Sequence, residues 1–159
     1  MASVVVLRDA EESDVPLFFQ HQSDADARHM AAFTAKDPAD REAFEKKWKK
    51  ILGKDDWTKK TILVDGEIAG HVVTYEQEGD LEVTYWIGKE HWGRGIAGQA
   101  LAALLREVTT RPLFGRTVSD NIASQRVLER NGFVRVGEEE SFANSRGEDV
   151  REIIFRLDA

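Results

Sequence analysis

The sequence predicts an α+β (mixed α/β) domain: a central, mostly antiparallel, twisted sheet of about seven strands with helices on both faces. Three observations carry that expectation. The middle of the chain alternates β-branched and aromatic runs with tight-turn dipeptides, the pattern of an antiparallel meander. From Gly95 onward the pattern changes to amphipathic helical periods separated by short strands, in the order β-α-β-α-β-β. The chain has 159 residues, the length of one ordinary domain with a real core, so a single domain over 1–159 is expected.

The elements follow in order. Ser3 to Arg8 is β-branched and reads as a strand. Asp14 is placed to cap a helix with Pro16 in its first turn and Leu17, Phe18 and Phe19 along it. Asp24 to Met30 reads as a short helical piece. Asp37-Pro38 opens another helix, with Phe44, Trp48 and Ile51-Leu52 at helical spacing and Gly53 at its end. Thr61 to Val64 and Ile68 to Tyr75 are strands joined by Asp65-Gly66, and Gly79-Asp80 turns into the strand Leu81 to Ile87. Ile96, Ala97, Ala100, Leu101, Leu104, Leu105 and Val108 mark an amphipathic helix over 95–108. Pro112 to Val118 is a strand. Asn121 to Arg130 is a helix capped by Asp120 or Asn121 and stopped by Asn131-Gly132. Phe133 to Val136 and Arg151 to Leu157 close the sheet, and Ser141 to Asp149 is expected as a loop between them.

Composition narrows the function classes. A formal charge of −7 repels phosphate backbones and argues against nucleic acid as a partner. No apolar run approaches the ~20 residues of a membrane helix, and the N-terminal apolar stretch is short for a signal peptide. Cysteine is absent, which removes thiol nucleophiles and thiolate metal sites. The expectations are a cytoplasmic protein, a monomer or homodimer, with no metal, no membrane and no nucleic acid.

The chemistry concentrates at Gly93-Arg94-Gly95-Ile96-Ala97-Gly98, between a strand and a helix. Closely spaced glycines let the backbone approach a ligand. The free N–H groups of the following helix turn point at that ligand and favour negative charge. Gly93, Gly95 and Gly98 also satisfy G-x-G-x-x-G, and Asp120 ends the next strand near the acidic position of a dinucleotide site. Two features count against that reading: residues 88–92 intervene between strand and glycines, and an antiparallel meander precedes them. A loop whose glycines only solve a turn is the third reading.

Tyr85-Trp86-Ile87, His91-Trp92-Gly93-Arg94-Gly95-Ile96-Ala97, Asn121-Ile122-Ala123-Ser124 and Leu128-Glu129-Arg130-Asn131-Gly132-Phe133, in that order, resemble the signature of the GCN5-related N-acetyltransferase (GNAT) family. They are most similar to its branch of ribosomal-protein N-terminal acetyltransferase-like enzymes, as is the opening Leu7-Arg8-Asp9-Ala10 with Asp14. One departure is visible: Glu90 stands where the broad family has Gln or Arg.

The resemblance implies the GNAT acyl-CoA N-acyltransferase fold, acetyl-CoA as co-substrate, a primary amine (protein N-terminus or small molecule) as acceptor, and direct attack in a ternary complex. It places the pyrophosphate on the backbone of Gly93 to Gly98, including Ile96 and Ala97, with Arg94 adding charge. The pantetheine amides fall on the edge of Tyr85, Trp86 and Ile87, and Asn121 and Ser124 near the pantetheine arm. Glu82 is the first candidate for the base. It shares a strand face with Thr84 and Trp86, opposite Val83, Tyr85 and Ile87, and a carboxylate there can take the amine proton directly or through water. Glu76 and His71 are reserves. Ser124 is the candidate acid for the thiolate, and no tyrosine follows it in its helix. Phe33, Trp48 and Phe142 are candidates for the acceptor side. A non-catalytic acyl-CoA sensor is the alternative from another class, and a dinucleotide-dependent oxidoreductase a more distant one.

Overall fold

The computed structural model of the protein describes residues 4–31, 37 and 39–158. Seven strands form one sheet: β1 (Val5–Asp9), β2 (Lys59–Val64), β3 (Glu67–Gln77), β4 (Asp80–Ile87), β5 (Leu113–Val118), β6 (Val134–Ala143) and β7 (Glu148–Leu157), in the order β1-β2-β3-β4-β5-β7-β6. Five α-helices accompany them: α1 (Val15–Gln22), α2 (Ala25–Ala31), α3 (Arg41–Leu52), α4 (Ile96–Glu107) and α5 (Ile122–Arg130). β4 and β5 pair in parallel, and the other five neighbouring pairs are antiparallel.

The meander forms for the reason the turns suggest. Asp65 and Gly66 both take positive φ, 51° and 86°, as a tight turn matched to the strand twist demands. The next turn uses Glu78 and Gly79, at 52° and 87°, so Asp80 begins β4 instead of turning.

Strand alternation divides the core in two. Val72, Val83 and Ile62 face α4 and α5, where Ile96, Ala100, Leu101, Leu104 and Leu128 are buried with Leu113 and Phe155. On the other face Val73 meets Val15, Phe18 and Trp48 from α1 and α3. The His71 ring lies 4.8 Å from Phe18 and 4.7 Å from Trp48, both edge-on. Helices therefore cover both faces of a mostly antiparallel sheet, as the pattern predicts.

Several local expectations are corrected. Asp14 makes no cap bond to α1. Its carboxylate is 2% exposed and accepts two 2.7 Å bonds from Arg8, one of 2.6 Å from Thr61 Oγ1 and one of 2.9 Å from the Glu11 N–H. Asp40, not Asp37, caps α3 by accepting from the Ala43 N–H; Pro38 lies outside the described residues. The expected late loop is mostly strand: β6 runs to Ala143, a turn occupies residues 144–147, and β7 resumes at Glu148. β6 is an edge strand, where Glu138, Glu139 and Glu140 face solvent at little cost, so a polar run does not mark a loop there. Among the described residues no helix is long and apolar enough to cross a membrane.

Candidate functional site: a fork between two parallel strands

The site begins where the sheet splits. β4 and β5 pair only over Leu81↔Leu113, Glu82↔Phe114 and Val83↔Gly115. Beyond that point β4 continues beside β3 to Ile87, and β5 beside β7 to Val118. The two strands diverge into a fork. The Gly88 N–H donates to Ala69 O at 2.8 Å, in register with the rest of the β3–β4 ladder. Alternation then turns the backbone groups of Glu82, Thr84 and Trp86 toward β3 and those of Tyr85 and Ile87 toward the fork. The Ile87 carbonyl accepts the Trp92 indole N–H at 2.9 Å. Tyr85 and Ile87 thus present a strand edge to an extended ligand.

Gly115 makes the fork's other wall possible. A Cβ there would come within 2.8 Å of Leu128, so only glycine lets α5 lie this close to β5.

Above the fork a short 3-10 turn, Lys89–His91, leads to the glycines. Gly93 and Gly95 take φ of 76° and 71°, the left-handed region that only glycine enters freely. Gly95 is the N-cap of α4 and no side chain caps the helix. A Cβ on Gly93 or Gly98 would meet nothing within 4 Å, so the turn and the first helical residues border open space. Ile96 is buried in the core at 2% exposure, so its contribution to a ligand is its N–H. Arg94 reaches back to His91 Nδ1 at 3.2 Å and lies 3.7 Å from Asp65. Glu90 sends its carboxylate away from the glycines, to 3.6 Å from His21 Nε2 and 3.8 Å from His91 Nε2. In this chain that position supports the turn from behind.

Glu82 stands at the apex of the fork, on the face of α1 and α3. It is 3% exposed and accepts from Arg116 Nε at 3.0 Å. Burial raises its carboxyl pKa, and the nearby guanidinium offsets part of that rise. Tyr75 lies opposite it in register, its phenol pushed up to about 12 by burial and by the Glu82 charge. Trp86 is on the same face, and its indole N–H is buried with no partner among the described residues.

The opposite face of β4 carries Tyr85, whose phenol lies 2.7 Å from Ser124 Oγ at the start of α5. Burial raises the Tyr85 pKa, with the Ser124 bond acting the other way. Asn121 caps α5 by accepting from the Ser124 N–H at 3.2 Å and donates to Met30 O at 3.4 Å. Arg146 in the β6–β7 turn bonds Asp120 at 2.7 and 3.0 Å and His29 O at 2.8 Å, so α2 is tied to the loop before α5.

The structure therefore gathers Glu82, Tyr85, Trp86, Ile87, the glycine turn with Arg94, Asn121 and Ser124 around one fork. It leaves other candidates out. Glu76 is exposed near the end of β3. Burial drives His71 down to about 3, unfit to accept a proton at neutral pH. Trp48 is core at 3% exposure and Phe142 is 59% exposed on the edge strand; Phe33 lies outside the described residues. Two groups had no sequence signal: Arg116, and the Tyr85 hydroxyl, which supplies the phenol that α5 lacks.

Comparison with known proteins agrees with this geometry. Residues 5–134 match the acetyltransferase (GNAT) domain family. The ribosomal-protein-serine acetyltransferase of Escherichia coli (strain K12) is 36% identical over 75 residues, 43% of this chain and 42% of that protein's length. A structure of RimL, a ribosomal L7/L12 alpha-N-protein acetyltransferase in complex with coenzyme A, superposes with a TM-score of 0.76 at 25% identity, covering 98% of this chain and 95% of that one. An N-acetyltransferase from Staphylococcus aureus Mu50 superposes with a TM-score of 0.83 at 17% identity, over 98% and 99%. The fork, the uncapped glycine turn and the match over most of the chain lead to one conclusion: this protein belongs to the GNAT family and is an acetyltransferase domain.

Proposed function

We propose that the protein moves an acetyl group from acetyl-CoA to a primary amine, a protein N-terminus or a small molecule, by direct attack within a ternary complex. The observation that carries this reading is the fork itself, an unpaired strand edge beside a helix start with no side-chain cap. The edge of Tyr85 and Ile87 suits the amides of an extended pantetheine arm. The N–H groups from Gly93 to Gly98 suit a pyrophosphate, which the helix macrodipole also favours. Acetyl-CoA supplies an activated carbonyl with a thiolate leaving group; the protein's part is to place it and to handle two protons.

The two protons fall on opposite faces of β4. Glu82, on the face of α1 and α3, takes the proton of the attacking amine, directly or through water. Burial makes this carboxylate more basic than an exposed one, as a base working near neutral pH requires. Ser124, on the other face and joined to the Tyr85 phenol, protonates or stabilises the departing thiolate. The strand N–H groups facing the fork stabilise the negative charge that develops on the carbonyl oxygen. The name of the E. coli relative motivates the α-amine of a serine-initiated ribosomal-protein peptide as one acceptor to try.

Thiol release from acetyl-CoA, measured with an amine panel that includes serine- and alanine-initiated peptides, tests the reading. Release that depends on an acceptor, with a product heavier by one acetyl group, supports it. Tight acetyl-CoA binding with no acceptor-dependent release across the panel would favour the sensor.

A further inference from the structure

We propose that Arg116 is the positioning residue for Glu82: from the apex of the fork its guanidinium holds the carboxylate in one orientation toward the reacting amine. The inference rests on Glu82 being the base of the acyl transfer proposed above.

Arg116 is the first residue of β5 past the last parallel pair, Val83↔Gly115. Its side chain crosses back to β4 at the point where the backbone ladder ends. Nε donates to Glu82 Oε1 at 3.0 Å, and Nη1 donates to Glu139 Oε2 on β6 at 2.9 Å and to Glu152 Oε1 on β7 at 3.2 Å. The far partners keep the guanidinium from swinging away, so the contact with Glu82 is a held one. Oε2 of Glu82 accepts no hydrogen bond from the described residues, and that is the atom left for the amine proton or its relaying water.

The charged and titratable groups facing Glu82 come from every adjoining strand: Tyr75 on β3, Asp80 on β4, Arg116 on β5 and Glu152 on β7, with Glu139 on β6 acting through Arg116. Arg116 is the only cation among them. Three carboxylates share this one guanidinium. Without it Glu82 faces burial and like charge together, and both favour the protonated acid, which cannot take a proton from an amine.

The test compares wild type with Arg116→Gln and Arg116→Lys, reading the Glu82 carboxyl by carbon-13 NMR titration, assigned through Glu82→Gln. The pH profile of acceptor-dependent kcat/KM is measured in parallel. In Arg116→Gln the Glu82 titration is expected to move up by about one unit or more, the effect of removing an opposite charge at contact distance. The acid limb of the rate profile should move up with it, while acetyl-CoA affinity is unchanged within about twofold. Arg116→Lys, which keeps charge without the planar fork, should lie between. If Arg116→Gln does not fold, Arg116→Lys carries the same comparison against wild type.

A Glu82 titration unmoved in the folded variant would overturn the proposal, and so would a titration shift with an unmoved acid limb. A titration shift in a protein that shows no acceptor-dependent thiol release would uphold the Arg116–Glu82 coupling and reject the acyl-transfer reading.

Discussion

Replacing His71 by leucine should remove about 2 kcal/mol of acid sensitivity from this protein, roughly the linkage of one histidine held neutral in the fold. His71 lies between Phe18 and Trp48, its Nδ1 buried with no partner among the described residues. Desolvation drives its folded pKa to about 3, with His21 and Lys47 adding smaller effects of the same sign. In the unfolded chain the ring titrates near ~6.5. Below that pH the unfolded state binds a proton that the folded state refuses, so stability is full above ~6.5 and falls as the pH drops. Each pH unit below it costs ~1.4 kcal/mol until the folded pKa is reached. Between pH 7.5 and 5.0 the loss from this group is ~2 kcal/mol, or ~4–8 °C in Tm for a domain of this size. Urea unfolding of wild type and His71→Leu at both pH values measures it. The variant should lose ~2 kcal/mol less than wild type over that interval, the remainder reflecting His21, whose pKa burial also lowers. Parallel pH dependences would show that His71 ionises in the folded state, and would return it to the list of candidate bases.

Other outcomes follow from the same geometry. Gly95→Asp places a carboxylate in left-handed backbone beside the anion cradle; it should cost ~1–2 kcal/mol of stability and lower acetyl-CoA affinity by about 100-fold or more in calorimetry. Retained tight binding would move the cofactor elsewhere. Asp14→Ala strips the partner from Arg8 and Thr61 and should cost ~3–5 kcal/mol in urea unfolding; a loss under ~1 kcal/mol would mean that the buried clamp is not structural. Tyr85→Phe keeps the strand and removes the hydroxyl on Ser124. Turnover should fall about tenfold or more at unchanged acetyl-CoA affinity, and combination with Ser124→Ala should be strongly non-additive. Independent, additive losses would separate the two hydroxyls.

What could be read in the sequence was whatever is local. Gly93 and Gly95 announce a left-handed turn, Asn121 sits one residue before a helical period as a cap does, and alternation alone puts Glu82 and Tyr85 on opposite faces of one strand. What could not be read depends on which strands become neighbours. Arg116 meets Glu82 across 34 residues of chain, Glu152 across 36 and Glu139 across 23, and no spacing rule links them until β5 lies between β4 and β7. The Tyr85–Ser124 bond spans 39 residues for the same reason. Asp14 shows the opposite failure. Local pattern made it a helix cap, yet the pairing of β1 with β2 brings Arg8 beside Thr61 and turns the carboxylate inward. Glu90 likewise departs from the family pattern in a way that only the contacts of His21 and His91 explain.

The central claim is that Glu82, at the apex of the fork, removes the amine proton. Glu82→Gln keeps the shape and removes the basic oxygen. Its acetyl-CoA affinity and its acceptor-dependent turnover at neutral pH, measured side by side with wild type, test the claim most directly. The account predicts affinity unchanged within about twofold and turnover lower by about 100-fold or more. Turnover equal to wild type would contradict it and remove Glu82 as the base.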